Sequence, residues 1–126
     1  MNSPYEGRHL IADLADGARL DDVAHIERCL TDAAAAAGAT LLELRLHAFG
    51  PGQGVTGVAL LAESHISIHT WPEYGCACVD IFMCGRSHDL EAALDVIAGG
   101  LDARIARRQL LSRSFGSVES QLPAAG

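Results

Sequence analysis

Residues 64–84, Ser64-His65-Ile66-Ser67-Ile68-His69-Thr70-Trp71-Pro72-Glu73-Tyr74-Gly75-Cys76-Ala77-Cys78-Val79-Asp80-Ile81-Phe82-Met83-Cys84, decide the fold. Ile66 and Ile68 alternate with His65, Ser67, His69 and Trp71. Val79, Ile81 and Met83 alternate with Cys76, Cys78, Asp80, Phe82 and Cys84. A period of two is the mark of a half-buried strand. Pro72-Glu73-Tyr74-Gly75 between the two runs has turn composition. The stretch therefore reads as a hairpin, Ile66–Trp71 against Cys76–Met83. Laying apolar face on apolar face requires paired residue numbers that sum to an odd value. A four-residue loop then pairs Trp71 with Cys76 and His69 with Cys78, and it carries Cys84 to the level of Glu63. The same alternation points Ser64 away from His69, so a bend or bulge is expected at Ser64.

Outward from the hairpin, Val55 to Leu61 reads as a strand running into Ala62-Glu63-Ser64. Leu42, Leu44 and Leu46 alternate with Glu43, Arg45 and His47 in another, and Gly50-Pro51-Gly52-Gln53-Gly54 is a loop. Leu20, Val23, Ile26, Leu30, Ala33, Ala34 and Ala37 recur at helical spacing, with Asp21 or Asp22 as cap and Gly38 as stop. His9 to Leu14 is a first strand. A second helix buries Leu90, Ala93, Leu94, Ile97 and Leu101, capped by Ser87 or Asp89 and loosened at its end by Gly99-Gly100. A last strand covers Ile105 to Leu111. From Ser112 the chain is small and polar and is expected to fray, with a flexible tail over 114–126. The order β-α-β-β-β-β-α-β predicts one α+β domain over residues 1–126: a two-layer sandwich with a largely antiparallel sheet and two helices on one face. The other face then needs a partner or a ligand.

Composition narrows the function classes. The 126 residues are 49% hydrophobic and 20% charged, ordinary for a single globular core. A net charge of −7 with no basic run argues against nucleic acid and against an anionic membrane surface. No stretch approaches transmembrane length, and Met1 to Gly7 lacks an apolar signal segment. A cytoplasmic protein is expected, with Cys29, Cys76, Cys78 and Cys84 as free thiols.

The run Glu63-Ser64-His65-Ile66-Ser67-Ile68-His69-Thr70-Trp71-Pro72-Glu73-Tyr74-Gly75 resembles the processing and active-site segment of the short bacterial and archaeal S-adenosylmethionine decarboxylases. Val79-Asp80-Ile81-Phe82-Met83-Cys84-Gly85 resembles that family's cysteine segment. Gly7-Arg8-His9-Leu10 is similar to its N-terminal strand, and Gly54-Val55-Thr56-Gly57-Val58 to its pre-cleavage strand. The resemblance covers roughly residues 7 to 113.

It implies a pyruvoyl-dependent enzyme that cuts itself between Glu63 and Ser64, giving chains 1–63 and 64–126. Ser64 would attack the Glu63 carbonyl, His69 would remove the serine α-proton, and a pyruvoyl cofactor would replace Ser64. That group forms a Schiff base with the substrate amine and accepts electrons as carbon dioxide leaves. Cys84 would reprotonate the product carbon. Thr56 stands where the family often has a processing serine, and its added methyl predicts slower cutting. Ala62 replaces another frequent serine. Glu73 matches a carboxylate that contacts ribose hydroxyls, Phe49 a ring that stacks on adenine, and Trp71 would support the same pocket. His9, His47 and Asp80 are further candidates to line the site. The implied substrate is S-adenosylmethionine, the product the aminopropyl donor for spermidine, and the implied assembly a homodimer with sites near the subunit contact.

Two rivals differ in kind. A relative with a changed pocket could decarboxylate arginine or ornithine. A non-enzymatic metal module could use His65, His69, Cys76 and Cys78, but histidines four apart suit a helix better than a strand, and no paired C-x-x-C occurs. No metal is expected.

Overall fold

A computed structural model describes residues 6–85 and 87–114. The chain runs through strand β1 (Glu6–Ala15), helix α1 (Val23–Ala37), β2 (Leu41–Ala48), β3 (Val55–Leu61), β4 (Ser64–Trp71), a 3-10 turn (Pro72–Tyr74), β5 (Cys76–Cys84), α2 (Leu90–Gly100) and β6 (Arg104–Ser114). The six strands make one antiparallel sheet in the order β2-β3-β4-β5-β1-β6. This is the α+β sandwich that the alternation and the two helical runs predict.

One face of the sheet builds the core. Leu10 and Leu14 from β1, Ile66 and Ile68 from β4, and Ile81 and Met83 from β5 are fully buried. They lie against Ile26 and Leu30 of α1 and Leu94 and Ile97 of α2, also fully buried. Each of these large side chains contributes about 1.5–3 kcal/mol by leaving water. Among the described residues, the other face carries no helix.

Local chemistry sets the helix ends. Asp22 caps α1, its carboxylate accepting the His25 N–H at 3.0 Å, and Gly38 closes the helix in the left-handed conformation at φ 77°. Leu20 precedes the helix yet is buried. Asp89, not Ser87, caps α2 by accepting the Ala92 N–H at 3.0 Å. Gly99 and Gly100 do not loosen α2, which remains helical through both. A methyl on Gly100 would lie 2.6 Å from the Cys29 sulfur, so this glycine lets the two helices approach.

The hairpin register is as expected: Trp71 faces Cys76, His69 faces Cys78 and His65 faces Phe82. β3 spans Val55–Leu61 as expected. Elsewhere boundaries differ. β1 extends beyond His9–Leu14 at both ends. Ser64 is a regular strand residue paired with Leu61, and the bend falls one residue earlier, at Glu63 with φ 60°. β6 continues to Ser114, because Glu6, Gly7 and Arg8 of the longer β1 pair with Ser114, Arg113 and Ser112. The expected fraying from Ser112 and the flexible tail from 114 therefore do not hold for Ser112–Ser114. Residues 115–126 lie outside the described part.

Gly54 lets the chain entering β3 lie tight against the end of β4. A side chain there would bring its Cβ to 2.1 Å from the Thr70 carbonyl oxygen. Gly54→Ala is expected to destabilise the fold by about 3 kcal/mol or more, read as a lowered urea midpoint.

Candidate active site

The β3–β4 turn is the most strained part of the hairpin system. Only Ala62 and Glu63 separate the two strands. Glu63 adopts φ 60°, a left-handed conformation that costs a non-glycine residue about 1–2 kcal/mol. Two-residue hairpins normally solve this with glycine or asparagine. Here the cost falls on the residue whose carbonyl precedes Ser64.

Cys84, the last residue of β5, grips that peptide bond from the neighbouring strand. Its thiol donates to the Glu63 carbonyl oxygen at 3.0 Å, and its backbone N–H donates to the Ser64 hydroxyl at 3.3 Å. Ser64 is 9% exposed, on the core side of the sheet with Ile66 and Ile68. Burial pushes the Cys84 thiol above its ordinary range, and the Glu63 charge adds to the shift. At neutral pH it holds its proton.

A second cluster lies at the far end of the same strands. Thr56 faces His69 across the β3–β4 ladder, with its hydroxyl 3.1 Å from His69 Nδ1. Phe49, Gln53, Thr56, His69, Trp71 and Glu73 line a cavity of about 540 Å³. The His69 and Trp71 rings lie 6.3 Å apart, and His47 meets Phe49 edge-on at 4.7 Å. Phe49 and Trp71 are 57% and 40% exposed, unusual for large rings without a partner.

The candidate residues thus fall into two groups within one chain. Glu63, Ser64 and Cys84 sit together at one end, and Phe49, Thr56, His69, Trp71 and Glu73 at the other. Ser64 and His69 are five strand positions apart, about 16 Å, and point to opposite faces. Among the described residues, no group of three or more His, Cys, Asp or Glu side chains is arranged to hold a metal ion. No helix among them is long and apolar enough to cross a membrane.

Thr70 escaped the reading of the sequence. It is buried beside His69, accepts the Val55 N–H at 2.8 Å and donates to the Leu20 carbonyl at 2.6 Å. It ties the start of β3 and the end of β4 to the segment before α1. The available signal was a hydroxyl in register with the apolar positions Ile66 and Ile68.

Fold and site together define a small α+β sandwich in which a serine, a thiol and a strained peptide bond meet at a hairpin turn. The family model for S-adenosylmethionine decarboxylase matches residues 8–114, and the chain belongs to that family. It is 56% identical over 100 residues to the S-adenosylmethionine decarboxylase proenzyme of Parasynechococcus marenigrum, spanning 78% of this chain and 77% of that protein. It is 55% identical over 93 residues to the proenzyme of Methanococcus aeolicus, spanning 72% and 79%. It is also similar to the crystal structure of the adenosylmethionine decarboxylase from Aquifex aeolicus. The TM-score there is 0.74 at 36% identity, covering 90% of this chain and 93% of that one.

Proposed function

We propose that this chain is a self-processing, pyruvoyl-dependent decarboxylase of S-adenosylmethionine that yields the aminopropyl donor for spermidine synthesis. The observation that carries the proposal is the double hold of Cys84 on the Glu63–Ser64 bond, at a turn residue with φ 60°.

Processing follows from this chain's own groups. The Ser64 hydroxyl adds to the Glu63 carbonyl carbon, the C–N bond breaks, and the Ser64 amine is freed as an ester forms. The thiol hydrogen bond polarises that carbonyl, and cutting releases the left-handed strain at Glu63. A base then removes the Ser64 α-proton, and the Glu63 carboxylate departs from the serine β-carbon. The resulting enamine takes up water and loses ammonia, leaving a pyruvoyl group at position 64. Chains 1–63 and 64–126 result. The pyruvoyl carbonyl supplies an acceptor that condenses with the substrate amine and takes the electron pair released as carbon dioxide leaves.

The base is His69: with Nδ1–H donating to the Thr56 hydroxyl, the lone pair of Nε2 is left to take up the proton. His69 of the same chain is about 16 Å from Ser64, so a second copy must bring it. The helix-free sheet face, with Leu60 and Trp71 exposed on it, suits that partner. A two-fold axis across β4 near Ile66 and Ser67 would bring the partner subunit's His69 to the level of Ser64 from the helix-free face, on the side of its α-carbon away from the hydroxyl, and reciprocally. The homodimer is then part of the site. Phe49, Trp71 and Glu73 arrive with His69 and offer rings for adenine and a carboxylate for ribose hydroxyls.

Cys84 donates the proton to the product carbon. Its raised pKa keeps the thiol protonated at neutral pH, so turnover is lost only as pH rises through the thiol's range, above that of an ordinary cysteine. Cys84→Ala is expected to cut only a little more slowly, because the thiol hydrogen bond it removes is a weak one, while turnover falls by about 100-fold or more. Gel analysis reads the cut and trapped carbon dioxide reads the turnover. Incubating processed enzyme with S-adenosylmethionine, arginine and ornithine tests the substrate. Release from the first alone supports the proposal, and release from arginine or ornithine alone contradicts it.

A further inference from the structure

β6 carries four arginines, and three are neutralised. Arg104 pairs with Asp16, Arg107 with Asp13 and Arg108 with Glu91. Arg113 has no carboxylate partner among the described residues. It lines a cavity of about 260 Å³ with Ser114, His9, His65 and Phe82.

The ladder fixes where this cavity lies. His65, Phe82 and His9 form one row across β4, β5 and β1, and the two imidazoles flank the Phe82 ring at centroid distances of 5.8 and 6.0 Å. The next row is Cys84, Gly7 and Arg113. Gly7 has no side chain, so no side chain stands at the register position between Cys84 and Arg113. His9 Nε2 is buried and has no hydrogen-bond partner among the described residues. A buried, unmatched ring nitrogen costs stability unless something answers it.

We propose that Arg113 and His9 form the subsite for the α-carboxylate of the amino-acid end of the substrate. This rests on the decarboxylase reading above. The reacting position is residue 64, beside Cys84. The α-carboxylate is one bond from the carbon that Cys84 reprotonates, so it must lie within a few ångströms of the thiol. It is the one anion on a substrate that also carries a sulfonium cation. In a chain of net charge −7, holding an anion there takes an unspent local cation, and among the described residues Arg113 stands on the open face at this end. His9 Nε2–H supplies a second donor. Phe82 supplies an apolar wall that disfavours the charged carboxylate and accepts neutral carbon dioxide. Arg113 is therefore a binding group for the ground state, and its loss appears in KM more than in kcat.

The decisive comparison uses two ligands that differ only in the carboxylate: S-adenosylmethionine and its decarboxylated product. The variant is Arg113→Gln in the processed enzyme. KM for the substrate is read from carbon dioxide release. Kd for the product is read from the fluorescence of Trp71, the single tryptophan, which lies in the other cavity. KM is expected to rise about tenfold or more, the loss of a charge-assisted hydrogen bond, while the product's Kd moves less than about twofold. His9→Gln, which keeps a donor, is expected to raise KM less than His9→Ala. Equal changes for both ligands, or no change for either, overturn the subsite while leaving the decarboxylase reading intact. Failure of the wild-type enzyme to process itself and to bind either ligand overturns both.

Discussion

Ser64→Ala is expected to leave one uncut chain of 126 residues and to lower decarboxylation by a factor of at least about 10⁴. The effect is this large because the substitution removes the nucleophile and the source of the cofactor together. Alanine fits the buried strand position, which is only 9% exposed, and removes one acceptor from the Cys84 N–H. The fold should therefore survive, with near-native circular dichroism and a modest loss of stability. A folded, uncut, inactive protein separates the chemistry from the packing. Ser64→Cys keeps a nucleophile at the same place and is expected to cut slowly.

The second large effect is complementation in mixed dimers. His69→Ala alone should stall processing, because no base reaches the Ser64 α-hydrogen. Ser64→Ala alone cannot be cut. In a dimer of one chain of each kind, the His69→Ala chain keeps its own Ser64 and faces the partner's His69. That chain is expected to cut, and the Ser64→Ala chain is not. Co-expression with two different tags reads this on a gel, with activity approaching half of the wild-type level per dimer. Ser64 and His69 are five strand positions apart with their side chains on opposite faces, which is why the base must come from the other chain. Processing within a single chain would leave both chains of the mixed dimer intact.

Much of this was legible in the sequence. The alternation of Ile66, Ile68, Val79, Ile81 and Met83 decides both the hairpin and its register, because a slip of one residue would turn a core face to water. The motif from Glu63 to Gly75 carries five of the candidate site residues, Glu63, Ser64, His69, Trp71 and Glu73. The long-range arrangement was less accessible. Nothing local to β1 says that it inserts between β5 and β6. That pairing is what lengthens β6 to Ser114 and brings Arg113 beside Gly7. The separation of Ser64 from His69 was visible as a parity conflict, but its resolution was misplaced. A bulge at Ser64 would have turned the two residues toward each other. The strand instead stays regular and the strain falls on Glu63, and on the proposed mechanism the imidazole comes from a second copy. Gly100 misled for a related reason: flexibility and close approach look alike in a sequence, and only the Cys29 sulfur at 2.6 Å from a would-be Cβ distinguishes them.

Self-processing and the cofactor both depend on the bond between Glu63 and Ser64. Intact-mass spectrometry of freshly purified, active wild-type protein tests it most directly. The expected result is two fragments, each about half of the 13.2 kDa chain, the C-terminal one beginning at position 64 and blocked to N-terminal sequencing. A fully active sample showing one unbroken chain with an ordinary serine at position 64 would contradict it.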